Sequence, residues 1–193
     1  DSLAPFRSQI AYIDHYVGHG VRRFERFRSA RIRVDGQDSV SDSIRKGLLL
    51  NGLESLVEQD DGVPDSELDL RIVCALDGDA AHVAAATKSV TATPLLPVVR
   101  WGDVVVIGPL CGPDEGDEWT TSMTRLTRNG NPMDGIAFWR SVVTGRPAMG
   151  TLPFSPAHAS MVGLMVAYEA FKALTGALSP ETEHGVLCFD LAT

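Results

Sequence analysis

The chain has 193 residues, of which 44% are hydrophobic and 22% charged, and its formal net charge is −8. This length and composition are typical of a globular protein with a hydrophobic core of its own. The acidic balance argues against nucleic acid and anionic membranes as partners, because both require a basic face, and no apolar run reaches the roughly 18 residues of a membrane-spanning helix.

Two amphipathic helices are predicted over residues 6–29, with a break at residues 18–20, Gly-His-Gly. Apolar residues at helical spacing mark the buried side of each helix: Ile10, Ile13 and Val17 on the first, and Val21, Phe24 and Phe27 on the second. We interpret residues 1–29 as a helical arm and residues 30–193 as an α/β domain.

The next segment has the pattern of a nucleotide-binding crossover with its glycines replaced. A strand is predicted over 31–35 and a helix over 39–51, and the turn between them is where such folds carry G-x-G-x-x-G. Gly36 is the one glycine kept, and Asp38 and Ser41 occupy the other two positions. The Asp38 carboxylate stands where a phosphate would bind and would repel it. The sequence therefore predicts that the fold remains and nucleotide binding is lost.

The rest of the chain alternates between apolar runs and helical patterns. Strands are predicted over 53–58, 69–76, 95–100, 104–108 and 185–191, and helices over 79–91, 134–143 and 157–175. The alternation up to residue 91 predicts a right-handed parallel sheet, whereas residues 101–103, Trp-Gly-Asp, predict a tight antiparallel hairpin. Residues 111–132 are rich in Gly, Pro, Asp, Thr and Asn and predict an irregular loop.

Two acidic residues are further candidates for a nucleotide site. Asp60 follows Gly36 by 24 residues, close to the spacing of a ribose-binding carboxylate, although we favour a solvated turn acid. Asp77 follows the apolar run 69–76 at the expected carboxyl edge of the sheet, where it could bind a ligand or, as we favour, cap the next helix. Residues 59–70 hold five acids and no Arg or Lys, so this segment offers phosphates no cation.

Several segments, taken in their order along the chain, resemble the ThiF/MoeB family of ubiquitin-activating-type adenylating enzymes. They are residues 6–10 (Phe-Arg-Ser-Gln-Ile), 68–76 followed by Asp77, the hairpin 94–110, and the terminal helix and strand at 155–176 and 185–191. The chain is most similar to the divergent branch that partners YcaO cyclodehydratases in making thiazole- and oxazole-modified, thiopeptide-like peptides. The resemblance implies a reduced, Rossmann-like three-layer α/β fold with a ThiF-type sheet, an added β-hairpin, and a long C-terminal helix followed by a strand. It also implies a homodimer.

The chain departs from that family at its nucleotide and metal sites. The glycine loop is reduced to Gly36, and the family's ATP-binding arginine and lysine have no counterpart between Gln59 and Leu70. Asp77 matches the aspartate that helps the family to hold Mg²⁺ and ATP, but its partners are missing. The family's zinc-binding cysteine pairs are also missing. We therefore expect no cofactor and no metal.

We favour the hypothesis of a non-catalytic scaffold that presents a precursor peptide to a YcaO-type cyclodehydratase or activates that enzyme. Its expected contact surface surrounds the loop 111–132, where Trp119, Met123 and Met133 are apolar residues that could also pack into the core. The alternative is an adenylating enzyme that uses ATP and Mg²⁺ in a rewired nucleotide site. A Rossmann-type dehydrogenase or methyltransferase fits the hairpin and the terminal helix less well.

The cysteines Cys74, Cys111 and Cys188 lie far apart in the sequence, each among apolar neighbours. This pattern predicts buried free thiols in a reducing compartment. No signal peptide is visible, so we expect a cytoplasmic protein.

Overall fold

The structure is a computed structural model that describes residues 2–76, 80–89, 92–101, 103–113, 117–146 and 154–191. Its helices are α1 (Arg7–Val17), α2 (Gly20–Arg28), α3 (Ser39–Leu50), α4 (Ala80–Lys88), α5 (Glu118–Asn129), α6 (Pro132–Thr144) and α7 (Pro156–Thr175). Its strands are β1 (Ile32–Asp35), β2 (Leu70–Ala75), β3 (Leu95–Trp101), β4 (Val104–Ile107) and β5 (Leu187–Asp190). Short 3₁₀ turns lie at Ala4–Phe6, Gln59–Asp61 and Asp65–Glu67.

The strands form a single sheet in the order β1-β2-β3-β4-β5. The pairs β1–β2 and β2–β3 are parallel, whereas β3–β4 and β4–β5 are antiparallel. Trp101 pairs with Val104 at the tip of the hairpin, and the predicted turn residue Gly102 lies outside the described residues. The predicted α/β class, with its hairpin, long C-terminal helix and closing strand, is confirmed.

Helices cover both faces of the sheet and produce three layers. Side chains alternate along β2, so that Ile72 and Cys74 join the apolar cluster under α1, α2, α3 and α7. Val73 and Ala75 join the cluster under α4, α5 and α6. This alternation explains why β2 is apolar from Ile72 to Ala75, since both of its faces are buried there.

Helices α3 and α7 pack with their backbones close together. A Cβ added at Gly47 would lie 2.8 Å from the Cβ of Ala167, and one added at Gly163 would lie 2.7 Å from the backbone carbonyl carbon of Ser43. Such contacts leave no room for a side chain, so these glycines set the distance between the two helices. The position of α3, and with it the crossover turn, is thereby fixed against the longest helix.

The N-terminal helix pair is confirmed, with its break at His19, which adopts a left-handed conformation with φ of 57°. Phe24 and Phe27 of α2 are buried in the cluster that α7 also covers, and the rings of Phe27 and Phe171 lie 4.9 Å apart in an edge arrangement. The division into an arm and a domain at residue 29 stays a prediction.

Residues 53–58 do not form the predicted strand. The amides of Glu54 and Val57 donate to the carbonyls of Arg28 and Ile32, both at 2.9 Å, and hold the segment beside β1 without a regular ladder. Glu54 and Ser55 are both exposed, so the segment lacks the alternating buried side that fixes the register of a strand.

Residues 111–132 do not form an irregular loop, because helix α5 lies within them. Asp117 caps this helix by accepting from the amide of Thr120 at 3.2 Å. Trp119 and Met123 lie one turn apart on its buried side. Their burial outweighs the weak helix propensity of the threonines in the segment.

Candidate functional site

The turn between β1 and α3 is the place where a nucleotide-binding α/β fold carries its phosphate loop. Gly36 lies in this turn with φ of 144°, and a Cβ there would collide with Ser41 Oγ and lie 2.9 Å from the Cβ of Cys74. The glycine that remains is therefore required by the packing of the turn on the protein's own α3 and β2.

Asp38 is the N-cap of α3. Its Oδ1 accepts from the amides of Val40 and Ser41 at 2.9 and 2.8 Å and from Ser41 Oγ at 3.0 Å. Amides at the start of a helix are the donors that a bound phosphate uses in folds of this class. In this chain a carboxylate of the protein already occupies them.

Arg45 closes the turn from the opposite side. Its Nη2 donates to the carbonyls of Val34 and Gly36 at 2.8 and 2.7 Å, and its Nη1 donates to Asp42 Oδ1 at 3.1 Å. The guanidinium therefore holds the backbone on either side of residue 35 in place. A cation is present beside the turn, but its donors are directed at the protein's own oxygens.

Two further arginines lie side by side at the edge of the sheet. Arg33 and Arg71 are register partners on β1 and β2. Asp65 bridges them, accepting from Arg33 Nη1 at 2.5 Å and from Arg71 Nη1 at 2.8 Å. Arg71 Nε also donates to Asp35 at 2.6 Å, and Arg33 Nη2 donates to the carbonyl of Val63 at 2.5 Å.

This arrangement corrects the expectation that the acidic segment has no cation beside it. Residues 59–70 contain no Arg or Lys, but the parallel register brings Arg33 and Arg71 to the carboxylate of Asp65. A signal was present in the sequence, because each arginine interrupts a pair of apolar neighbours: Arg33 lies between Ile32 and Val34, and Arg71 lies between Leu70 and Ile72. Two such interruptions on neighbouring strands indicate a buried polar network that requires a counter-charge.

The remaining acidic candidates lie apart from this network. Asp60 is exposed in the turn Gln59–Asp61, in which Asp61 accepts from the amide of Glu58 at 2.8 Å. Asp77 lies outside the described residues. The site thus consists of four carboxylates and three guanidiniums, with a formal charge of −1, from Asp35, Asp38, Asp42, Asp65, Arg33, Arg45 and Arg71.

Cys74 lies beside the crossover turn, and its surroundings suppress the reactivity of its thiol. Burial raises the pKa of its thiol, and the charge of Asp38 raises it further. The thiol therefore stays protonated at physiological pH and is a weak nucleophile.

Cys111 is also buried, whereas Cys188 is exposed, so the prediction of three buried thiols is wrong at Cys188.

The apolar residues predicted to form a contact surface separate into two groups. Trp119 and Met123 are fully buried, and the Trp119 ring lies 6.2 and 6.3 Å from those of Phe138 and Trp139. The expectation that these two residues face a partner is wrong, because they form the core beneath α5 and α6. Met133 is 71% exposed on α6.

In the described part of the chain, no group of three or more His, Cys, Asp and Glu side chains is arranged to hold a metal ion. Among the same residues, no helix has both the length and the apolar character needed to cross a membrane.

Comparison of the sequence with protein-family models and with curated proteins found no match. Comparison of the structure with solved structures did find similar folds. Escherichia coli MccB, seen with MccA, is 11% identical with a TM-score of 0.59, over 99% of this chain and 72% of MccB. PaaA is 14% identical with a TM-score of 0.67, over 98% of this chain and 79% of PaaA.

A heterocyclase in complex with substrate and cofactor is 16% identical with a TM-score of 0.61, over 96% of this chain and 26% of the heterocyclase. This chain therefore spans about a quarter of that protein. At these identities the similarity shows the fold, and it supports the ThiF/MoeB-type fold that the sequence resemblance implies. The homodimer, the cytoplasmic location and the YcaO partner stay predictions.

Proposed function

We propose that this chain is a non-catalytic partner protein in the biosynthesis of a modified ribosomal peptide. In this role it presents a precursor peptide to a YcaO-type cyclodehydratase or activates that enzyme. The observation that carries the proposal is the closed crossover turn, in which Asp38 accepts from the amides that a phosphate would use. In this role the chain acts through its surface and not through a nucleotide site.

The energetic argument rests on two terms at the crossover turn. Displacing Asp38 from the N-cap costs about 1 kcal/mol. Leaving it in place sets a phosphate beside a carboxylate, and two like unit charges 4 Å apart repel by about 4 kcal/mol at the effective dielectric of a protein surface. Because the two costs are alternatives, nucleotide binding is weakened by at least about 1 kcal/mol, roughly fivefold in Kd, and by up to about 4 kcal/mol while the carboxylate stays within 4 Å.

The cations near the turn do not offset this repulsion. Arg45 is held by two backbone carbonyls and Asp42, and Arg33 and Arg71 share Asp65. A triphosphate would have to break these pairs before it gained any of its own. The three arginines therefore attract an anionic ligand less strongly than three unpaired arginines would.

The peptide part of the proposal is supported by the proteins that share the fold. MccB is seen with MccA, and the heterocyclase is seen with a substrate. The sequence resemblance to the branch that works with YcaO enzymes supplies the more specific partner. Together they favour peptide biosynthesis as the process and a protein or peptide as the ligand.

Calorimetry with ATP and Mg²⁺ tests the non-catalytic part. We expect no saturable heat up to about 1 mM nucleotide. E. coli MccB, which is seen with the ATP analogue AMPCPP, is the positive control. A micromolar affinity in this chain would instead support the alternative, an adenylating enzyme with a rewired site.

The partner role is tested with a purified precursor peptide and a YcaO-type cyclodehydratase from the same producing cell. Mass spectrometry follows ring formation as the loss of water from the precursor, with and without this chain. We expect the chain to bind at least one of the two and to speed ring formation. Absence of any complex at about 50 µM, together with an unchanged rate, would contradict the role.

A further inference from the structure

Helix α6 exposes an apolar stripe. Met133, Ile136 and Val143 are 71%, 54% and 83% exposed, and their spacing of three and seven residues places them on one side of the helix with Arg140. We call these four residues the α6 face. The opposite side of α6, with Phe138 as its largest residue, is buried beneath the helix, so the face is held on a fixed support.

The segment of the chain that carries the α6 face has a formal charge opposite in sign to that of the rest of the chain. Residues 125–146 hold four arginines and one aspartate, a formal charge of +3, which leaves −11 for the rest of a chain whose total is −8. Arg128, Arg140 and Arg146 are all exposed. A basic, apolar face on an acidic protein is complementary to an acidic segment that carries apolar side chains.

We propose that the α6 face binds an acidic segment of a partner polypeptide, with apolar side chains at helical spacing that pack on Met133, Ile136 and Val143. Arg140 lies within the stripe and would pair with a carboxylate of that segment. The inference rests on the proposed function, because it names the surface through which a partner protein would be held. It replaces the surface expected at Trp119 and Met123, which are buried.

Two other occupants fit the face less well. In a symmetric dimer through the α6 face, both copies of Arg140 would enter the contact, and like charges across an interface disfavour it. An anionic membrane would be attracted by the local +3 but repelled by the −11 of the remaining chain. Both remain outcomes that the experiment can detect.

The test uses a fluorescein-labelled synthetic helix of about 20 residues, with Leu at i, i+3 and i+7 and Glu at the exposed positions. We expect micromolar binding by fluorescence anisotropy, which weakens as salt is raised. A second peptide with Lys in place of Glu should bind at least about 10-fold more weakly. Vesicles containing anionic phospholipid should not bind the chain, and sedimentation should show no self-association through the face.

Variants of the chain locate the binding surface. Met133→Ser combined with Ile136→Ser, and separately Arg140→Glu, should each weaken the Glu peptide by about 10-fold or more. Because the substituted side chains are exposed, circular dichroism should show an unchanged fold. The matched control is Leu50→Ser, which alters a residue 71% exposed on α3 and should leave the affinity unchanged.

The proposal is overturned if the Glu peptide fails to bind at about 100 µM, if it binds the α6 variants as well as the unaltered chain, or if vesicles or a second copy take the face instead. These outcomes are separable from the fate of the proposed function. If Arg140→Glu still binds the cyclodehydratase and precursor, the α6 face is wrong and the partner role stands. If the unaltered chain binds the Glu peptide but neither natural partner, the partner role is wrong and the face stands.

Discussion

Replacing Asp65 by Asn tests whether the arginines at the sheet edge are structural. The Arg33 side chain is 9% exposed and pairs with Asp65 at 2.5 Å, while Arg71 pairs with the same carboxylate at 2.8 Å. Asparagine keeps the shape of the side chain and one acceptor oxygen. It removes the charge that compensates the buried guanidinium of Arg33.

The expected magnitude follows from the burial of the two partners. Breaking a fully buried ion pair costs about 3–5 kcal/mol, and breaking an exposed pair costs about 0–1 kcal/mol. Asp65 is 51% exposed, so solvent screens the pair from one side. We therefore expect the free energy of unfolding to fall by about 2 kcal/mol, with a decrease in Tm of roughly 4–8 °C for a chain of this size.

Urea unfolding followed by circular dichroism measures this change. Asp60→Asn is the matched control, because it neutralises an exposed acid of the same segment, and its effect should stay within about 0.5 kcal/mol. Inorganic phosphate should then raise the Tm of Asp65→Asn more than that of the unaltered chain, since the two arginines have lost a shared carboxylate. An Asp65→Asn variant as stable as the unaltered chain would refute the argument. It would show that Asp65 does not hold Arg33 and Arg71, so that both arginines are available to a phosphate ligand in the unaltered chain.

Other predictions concern groups away from the sheet edge. Glu169→Gln leaves the buried Lys172 ammonium without the carboxylate 2.5 Å away, so we expect the free energy of unfolding in urea to fall by about 3–5 kcal/mol. Adding Lys172→Met should recover part of this loss. An unchanged free energy of unfolding would contradict a compensated buried pair. Burial, and then a hydrogen bond with a neighbouring tyrosine, raises the pKa of Tyr12 from 10.0 to about 12. Its contribution to stability is therefore complete below about pH 10 and is lost as the pH rises through 12, and Tyr12→Phe melts should lack this component. Ellman's reagent should react with the exposed Cys188 in the native chain, although more slowly than with a free thiol because partial burial raises the pKa of Cys188, and with Cys74 only after unfolding; reaction of Cys74 in the native chain would show that the core opens readily.

The sequence predicts the order of strands and helices well because their signals are local. The apolar run at 69–76 and the glycine after the long C-terminal helix each report on a few consecutive residues. Gly176 ends α7 with φ of 64°, a conformation that favours glycine. The hairpin turn at 101–103 is likewise indicated by a local signal of three consecutive residues. At α5 the local signals conflict, because the spacing of Trp119 and Met123 favours a helix whereas the composition of residues 111–132 favours a loop.

The chemistry of the site could not be predicted in the same way because it depends on strand register. Arg33 and Arg71 are 38 residues apart and become neighbours only because β1 and β2 pair with those two positions opposite each other. Asp65 then reaches both from a 3₁₀ turn. A shift of one residue in this pairing would place the two arginines on opposite faces of the sheet. No local pattern contains that information. The sequence therefore indicates an acidic segment without cations, whereas in the structure Arg33 and Arg71 compensate the charge of Asp65.

This dependence on register leads to an expectation about the crossover turn itself. Restoring glycine at its two altered positions, with Asp38→Gly and Ser41→Gly together, frees the amides at the start of α3 but changes none of the arginine pairs. Arg45 remains on its carbonyls, and Arg33 and Arg71 remain on Asp65, so a triphosphate gains donors without gaining a cation. We expect calorimetry to show an affinity for ATP and Mg²⁺ still weaker than about 1 mM, with stability lower by about 1 kcal/mol from the lost cap and the added helix glycine. Micromolar binding by this double variant would show that the glycines alone separate the chain from nucleotide chemistry, and that its arginines exchange partners freely.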